Sequence, residues 1–113
     1  MIIEEVIINY LIDALQTSEV YAEVPETHGD EFFVVDKTGG GREDRVNHAM
    51  ITVQSYAKTK DRAAARNEDV KAAMERIVIL NEIGACHLNT DYNFTNIDMK
   101  QYRYQAVFDI THY

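Results

Sequence analysis

Ala49-Met50-Ile51-Thr52-Val53-Gln54-Ser55-Tyr56-Ala57 runs directly into Lys58-Thr59-Lys60-Asp61-Arg62-Ala63-Ala64, and the change of rhythm between them decides the fold. In the first stretch Ala49, Ile51, Val53 and Ser55 alternate with Met50, Thr52, Gln54 and Tyr56. That is the period of two by which a strand gives each face its own side chains. Beyond Lys58 the repeat lengthens. Ala63, Arg66/Asn67, Val70, Ala73/Met74 and Ile77 share one side of a helix, while Glu68, Asp69, Lys71, Glu75 and Arg76 fall mostly outside it. Thr59 supplies an N-cap oxygen and Asp61 a negative charge for the first turn. A helix is expected over residues 61–80, with Gly84 marking the end of the region.

Working outward, a strand from about Arg45 to Ala57 faces an earlier β-rich run, Glu31-Phe32-Phe33-Val34-Val35-Asp36-Lys37. Thr38-Gly39-Gly40-Gly41 lies between them as a turn signal, so a hairpin is expected around the glycines. Val20-Tyr21-Ala22-Glu23-Val24 reads as a short strand closed by Pro25, the one proline, which cannot donate to a ladder. Ahead of it, Ile3, Val6, Ile7, Tyr10, Leu11, Ala14 and Leu15 fall at helical spacing over residues 2–16. At the far end Tyr102, Tyr104, Ala106, Phe108 and Ile110 alternate with Arg103, Gln105, Val107, Asp109 and Thr111. The polar residues 89–100 read as a long loop or an irregular strand pair. The expected architecture is α+β: an antiparallel-rich mixed sheet of four to five strands with two helices packed on it.

The 113 residues make one domain, 1–113, large enough to bury a core without metal or disulfide. Eleven Lys and Arg stand against 19 Asp and Glu, a formal charge of −8. Such a surface repels phosphate, so specific nucleic-acid binding is not expected. Cys86, the one cysteine, allows no intrachain disulfide and points to a reducing compartment. Met1-Ile2-Ile3-Glu4-Glu5 carries acid where a secretory leader carries base, and the apolar run Ile77-Val78-Ile79-Leu80 is far too short to span a membrane. The expected location is the cytoplasm.

No chemical motif is complete. Asp91, Asn93 and Thr95 match the first ligand positions of a calcium loop, but Asn96 replaces its glycine and Tyr102 its bidentate glutamate. Gly39-Gly40-Gly41 is followed by Arg42-Glu43-Asp44 and not by the Gly-Lys-Ser/Thr of a phosphate loop. His28, His48, His87 and His112 lack metal-ligand spacing. Cys86 and His87 are sequence neighbours, which on a strand point to opposite faces. Neither a catalytic constellation nor a cofactor or metal site is expected.

The chain as a whole resembles a family. Val20-Tyr21-Ala22-Glu23-Val24-Pro25, then Phe32-Phe33-Val34-Val35 into Lys37-Thr38-Gly39-Gly40-Gly41, then the strand ending Tyr56-Ala57, the Ala-rich helix, and Tyr102-Arg103-Tyr104-Gln105-Ala106 follow an order similar to that of the small tail terminator (tail completion) proteins of long-tailed bacteriophages and prophages. Residues 89–100 depart from it, since relatives are expected to carry a proline there. The resemblance implies a minor structural protein of the virion, with no enzymatic activity. It would form a homo-oligomeric ring, usually a hexamer, that caps the tail tube and offers the docking surface for the filled head. Its partners would be the tail-tube protein and the head–tail connector proteins. It would be found in the bacterial host cytoplasm during assembly and in the tail or neck of the virion.

Two other readings share the composition: a neck or head-completion (stopper or adaptor) protein, and a small-molecule-binding α+β domain. On the ring reading, Thr38, Gly39, Gly40, Gly41, Arg42, Glu43 and Asp44 form the candidate assembly loop, expected to be mobile until it meets a neighbour. Arg45, Arg62 and Arg66 are the candidate interface residues. A passage for DNA should be lined by acidic and neutral side chains, with the basic ones turned to interfaces or rim.

Overall fold

A computed structural model describes residues 2–113. Helix α1 (Ile3–Leu15) opens the chain, followed by strands β1 (Val20–Tyr21), β2 (Phe32–Glu43) and β3 (Val46–Ala57). Helix α2 (Lys60–Glu75), one 3-10 turn (Ile77–Ile79), β4 (Ile83–Asn93) and β5 (Tyr102–His112) complete it. The five strands form one mixed sheet in the order β1-β2-β3-β5-β4. Only β1 and β2 run parallel; every other pair is antiparallel. The fold is α+β, and no helix among the described residues is long and apolar enough to cross a membrane.

Both helices lie on one face of the sheet. Phe33 and Val35 of β2, Ala49, Ile51 and Val53 of β3, and Ala106, Phe108 and Ile110 of β5 pack with Ile3, Ile7 and Leu11 of α1 and with Val70, Ala73 and Met74 of α2. The alternate residues Phe32, Val34 and Tyr56 form a separate small cluster, so the period of two has sorted the side chains as it must. Thr59 Oγ1 accepts from the Arg62 backbone N–H at 3.2 Å, the N-cap that starts α2. Tyr10 donates its hydroxyl to the Ala73 carbonyl at 2.6 Å and ties α1 to α2.

The hairpin exists, but its turn is not at the glycines. The β2–β3 ladder continues through Gly39, Gly40 and Gly41 to the pair Glu43–Val46. Asp44 and Arg45 make the turn, with φ of 50° and 67°. A two-residue turn with both φ values positive matches the right-handed twist of the flanking strands, which is why it wins over a longer loop. Thr38 is absorbed as a bulge between Lys37 and Gly39. The expected loop over residues 38–44 is therefore strand for all but its last residue.

Arg45 carries the strain of this turn, since a side chain in the left-handed region costs about 1 kcal/mol that glycine avoids. Arg45→Gly should raise stability by roughly 0.5–1 kcal/mol, read as a higher denaturation midpoint at unchanged slope. A lower midpoint would mean that the arginine side chain contributes more than its backbone costs.

Other boundaries also moved. β1 has only the pairs Val20–Phe33 and Tyr21–Val34, shorter than the expected residues 20–24. Residues 83–93, largely polar, are a full strand on β5, with register shifts between Ile83 and Ala85 and between Leu88 and Thr90. Only the connection after Asn93 is irregular, closed by an isolated Asn96–Gln101 bridge.

Candidate functional site

The face of the sheet that carries no helix is knit by side-chain hydrogen bonds, with Thr52, Tyr56 and Val107 buried in it and Asp36, Met50, Asp109 and Tyr92 exposed. Its side chains are Asp36 of β2, Met50, Thr52, Gln54 and Tyr56 of β3, and Arg103, Gln105, Val107 and Asp109 of β5, with Tyr92 of β4 beside Gln105. Four of them are locked in a chain. The Tyr56 hydroxyl donates to Gln54 Oε1 at 2.8 Å, Gln54 Nε2 to Gln105 Oε1 at 2.8 Å, and Gln105 Nε2 to the Tyr92 hydroxyl oxygen.

Arg103 extends the chain. Its Nη1 donates to the Tyr56 hydroxyl at 3.2 Å and its Nε to the Phe94 carbonyl at 2.7 Å. Its guanidinium lies 4.4 Å from the Phe94 ring centroid and 5.7 Å from that of Tyr56. Tyr56 stacks on Phe32 at 4.4 Å, and His28 on the other side of Phe32 at 3.9 Å. These contacts fix rotamers across three strands, so the face is a rigid platform with little entropy left to lose on binding. The alternation of β3 and β5 placed these residues together, but which face stays bare is a tertiary fact.

Toward the hairpin end the platform drops into an open groove of about 490 Å³ bounded by Gly39, Gly41, Met50, His87 and Asp109. The glycines make this groove. None has a positive φ, and a Cβ on Gly41 would meet nothing within 4 Å. On Gly39 a Cβ would meet only Met50 Cβ, at an ordinary 3.6 Å. The turn, the backbone conformation and the packing of this chain do not require glycine at either position. Gly40 differs, because the Lys37 stem lies 2.7 Å from where its Cβ would be.

The candidate residues separate into two groups. Thr38, Gly39, Gly40, Gly41, Arg42 and Glu43 lie on β2, and Asp44 and Arg45 at its turn. Arg62 and Arg66 lie at the opposite end of the sheet, where α2 begins just after β3, about 35 Å away at 3.3 Å per strand residue. There both face Glu31. Arg62 donates from Nε and Nη2 at 2.7 and 3.0 Å, and Arg66 Nε lies 3.5 Å away while its Nη1 reaches Asp69 at 2.8 Å. The Arg62 hydrogen bonds hold the Glu31 carboxyl below its usual pKa. The Arg66 guanidinium also lies 5.0 Å from the Phe33 ring centroid. In the free chain these two arginines are thus occupied by their own acids.

Asp91 serves structure. It accepts from Asn67 Nδ2 at 2.9 Å and from Lys71 Nζ at 3.0 Å. The Lys71 pKa is raised by its hydrogen bonds to Glu68 and Asp91. Cys86 pairs across from Ile110 on the helix side, and His87 across from Asp109 on the bare side, so no proton passes between them. Burial pushes the Cys86 thiol up to about 11, the opposite of an activated nucleophile. No family model matches the chain, and no curated protein is significantly similar to it.

Proposed function

We propose that the chain is a structural subunit of a bacteriophage or prophage tail, a terminator that assembles as a ring, usually of six copies, on the end of the tail tube and presents the surface for head docking. The observation that carries this reading is the bare sheet face. It is a rigid, extended platform of cross-bonded amides and tyrosines, and its neighbouring groove is open. A small-molecule site would be a concave pocket with convergent polar groups. A pre-ordered surface of this extent suits contact with another large surface, or the wall of a passage.

The charge supports the same role. Six copies at −8 each carry −48, and Arg103, the arginine on the bare face, is held by Tyr56 and by Phe94. With Asp36 and Asp109 set against the one engaged guanidinium of Arg103, such a wall offers DNA phosphate no net positive charge to hold. At the tip of the β4–β5 connection Ile97 and Met99 are 82% and 74% exposed, an apolar point suited to seating on the tube.

The test is solution mass, alone and mixed with the tail-tube protein of the same phage, together with a duplex-DNA titration. We expect a ring or a ring-on-tube complex and no DNA binding at micromolar protein near physiological salt. Ile97→Asp with Met99→Asp should leave the melting temperature unchanged and weaken capture of the tube at least tenfold, the exposed sites being free to carry charge. A monomer indifferent to the tube, or micromolar DNA affinity, would sink the reading.

A further inference from the structure

We infer that copies of this chain join edge to edge, β4 of one subunit adding to the free edge of β2 of the next, so that the sheet runs unbroken around the ring. The inference rests on the ring reading above and names the contact that would build it.

The sheet has two open edges. β1 covers β2 only at Phe33 and Val34, so among the described residues no strand pairs with the outer edge of β2 from Asp36 onward. β4 is the last strand on the other side. Exposed edges this long invite a further strand.

Their relation to each other identifies the occupant. Across the sheet the registers join Asp36 to Thr52, Val107 and Thr90, and Lys37 to Ile51, Phe108 and Leu88. They join Gly39 to Met50, Asp109 and His87, then Gly40 to Ala49, Ile110 and Cys86, and lastly Gly41 to His48, Thr111 and Ala85. The free edge of β2 and residues 85–90 of β4 therefore lie at one level. A second copy set beside the first without rise brings residues 85–90 of β4 against residues 36–41 of its neighbour, while Tyr92 and Asn93, level with Val34 and Phe33 where β1 already pairs, must turn away. A head-to-tail contact with no rise closes into a ring when its rotation divides a full turn, whereas one with rise makes a filament.

Direction agrees as well. β2 and β5 run one way, β3 and β4 the other, so a copy in the same orientation lays its β2 antiparallel to β4. Charge does not oppose it. Residues 85–90 (Ala, Cys, His, Leu, Asn, Thr) carry no formal charge, and the facing stretch offers Asp36 and Lys37.

The glycines then acquire a reason. Gly39 and Gly41 weaken a strand without serving any contact within the chain. A strip of β2 without side chains lets an adjoining strand and its larger residues, His87 level with Gly39 among them, approach closely. Six copies of four long strands at about 4.8 Å spacing make a closed sheet roughly 115 Å around, or about 37 Å across. With the helix layer on the wider outer side, the bare face lines that passage.

The test uses the native thiol. Gly40 and Cys86 share a level and both belong to the helix side, and paired Cα atoms of antiparallel neighbours lie about 4.5–5.5 Å apart, within disulfide reach. Under copper-phenanthroline oxidation, Gly40→Cys should give a covalent ladder up to the full ring on a non-reducing gel. Gly39→Cys and Gly41→Cys, on the other face, should not, and adding Cys86→Ser to Gly40→Cys should abolish it.

Hydrogen exchange of the unmodified protein, assembled against dilute, should show new protection at residues 36–41 and 85–90 together. Assembly with no Gly40–Cys86 product and no paired protection would overturn the edge contact and leave the ring reading standing. A monomer under every condition, with or without the tube, would overturn both.

Discussion

Val70→Asp should lower the melting temperature by about 20 °C or prevent folding, and Met74→Asp should do the same. Both residues are fully buried where α2 crosses the sheet. Replacing Val70 removes a buried side chain worth about 2 kcal/mol and leaves a carboxylate among Ile51, Ala106 and Phe108, apolar members of the same core. Such a group must stay charged without a partner or take up a proton, at a further cost of several kcal/mol. The sum, about 4–5 kcal/mol, is a large part of the 5–15 kcal/mol that stabilises a domain of this size, and each kcal/mol is worth about 4 °C here. Ala72→Asp on the exposed side of the same helix should cost only about 1 kcal/mol, in helix propensity and in placing an anion in the last turn. Equal melting points for the Val70 and Ala72 variants would show that the buried face of α2 has been misassigned.

That face was legible in the sequence because its information is local. The switch from period two to period 3.6 after Ala57, the Thr59 cap and the stripe Ala63, Asn67, Val70, Met74 all lie within one element and its border. The antiparallel hairpin was legible for the same reason, yet its turn was not. Three glycines carry a strong turn signal, while Asp44-Arg45 carries a weak one. The pairing of Met50, Ala49 and His48 with Gly39, Gly40 and Gly41 settled the matter. The β4 strand was hidden by its bulges. Each register shift breaks the alternation that marks a strand, and an edge strand needs no apolar run.

Of the candidate site, the residues were legible but not their grouping. Arg62 and Arg66 meet an acid, Glu31, that is 31 positions from Arg62, and nothing near them in sequence announces it. The bare sheet face could not be read at all, because it is defined by where both helices are not.

Asn67→Asp should destabilise the protein by about 3 kcal/mol at neutral pH, with a deficit that shrinks as the solution is acidified. Asn67 is 1% exposed and spends its Nδ2 on Asp91 Oδ2 at 2.9 Å, while its Oδ1 has no partner. An added carboxylate would face that of Asp91 at hydrogen-bond distance on the buried side of a half-buried pair. Lys71, on the same Asp91 oxygen at 3.0 Å and shared with Glu68, cannot neutralise both. Like charges so placed force one carboxyl to hold its proton, so the folded-state pKa of the pair rises above the value of about 3.9 for an unfolded Asp. A group whose folded pKa is raised binds more protons when folded. Its stability contribution is full below the unfolded pKa and is lost as pH climbs through the folded one. The deficit should therefore be largest at pH 7 and above, and should fall toward pH 4. Asn67→Leu supplies the contrast, since it replaces the amide by a side chain with the same four heavy atoms branched at Cγ and leaves Asp91 paired with Lys71. That change should cost about 1 kcal/mol with no pH dependence of its own. Denaturant titrations of the three proteins at pH 7.5 and pH 4.5 decide the matter. A pH-independent loss in the Asp variant, or none, would mean that Asn67 and Asp91 do not share the contact that anchors β4 to α2.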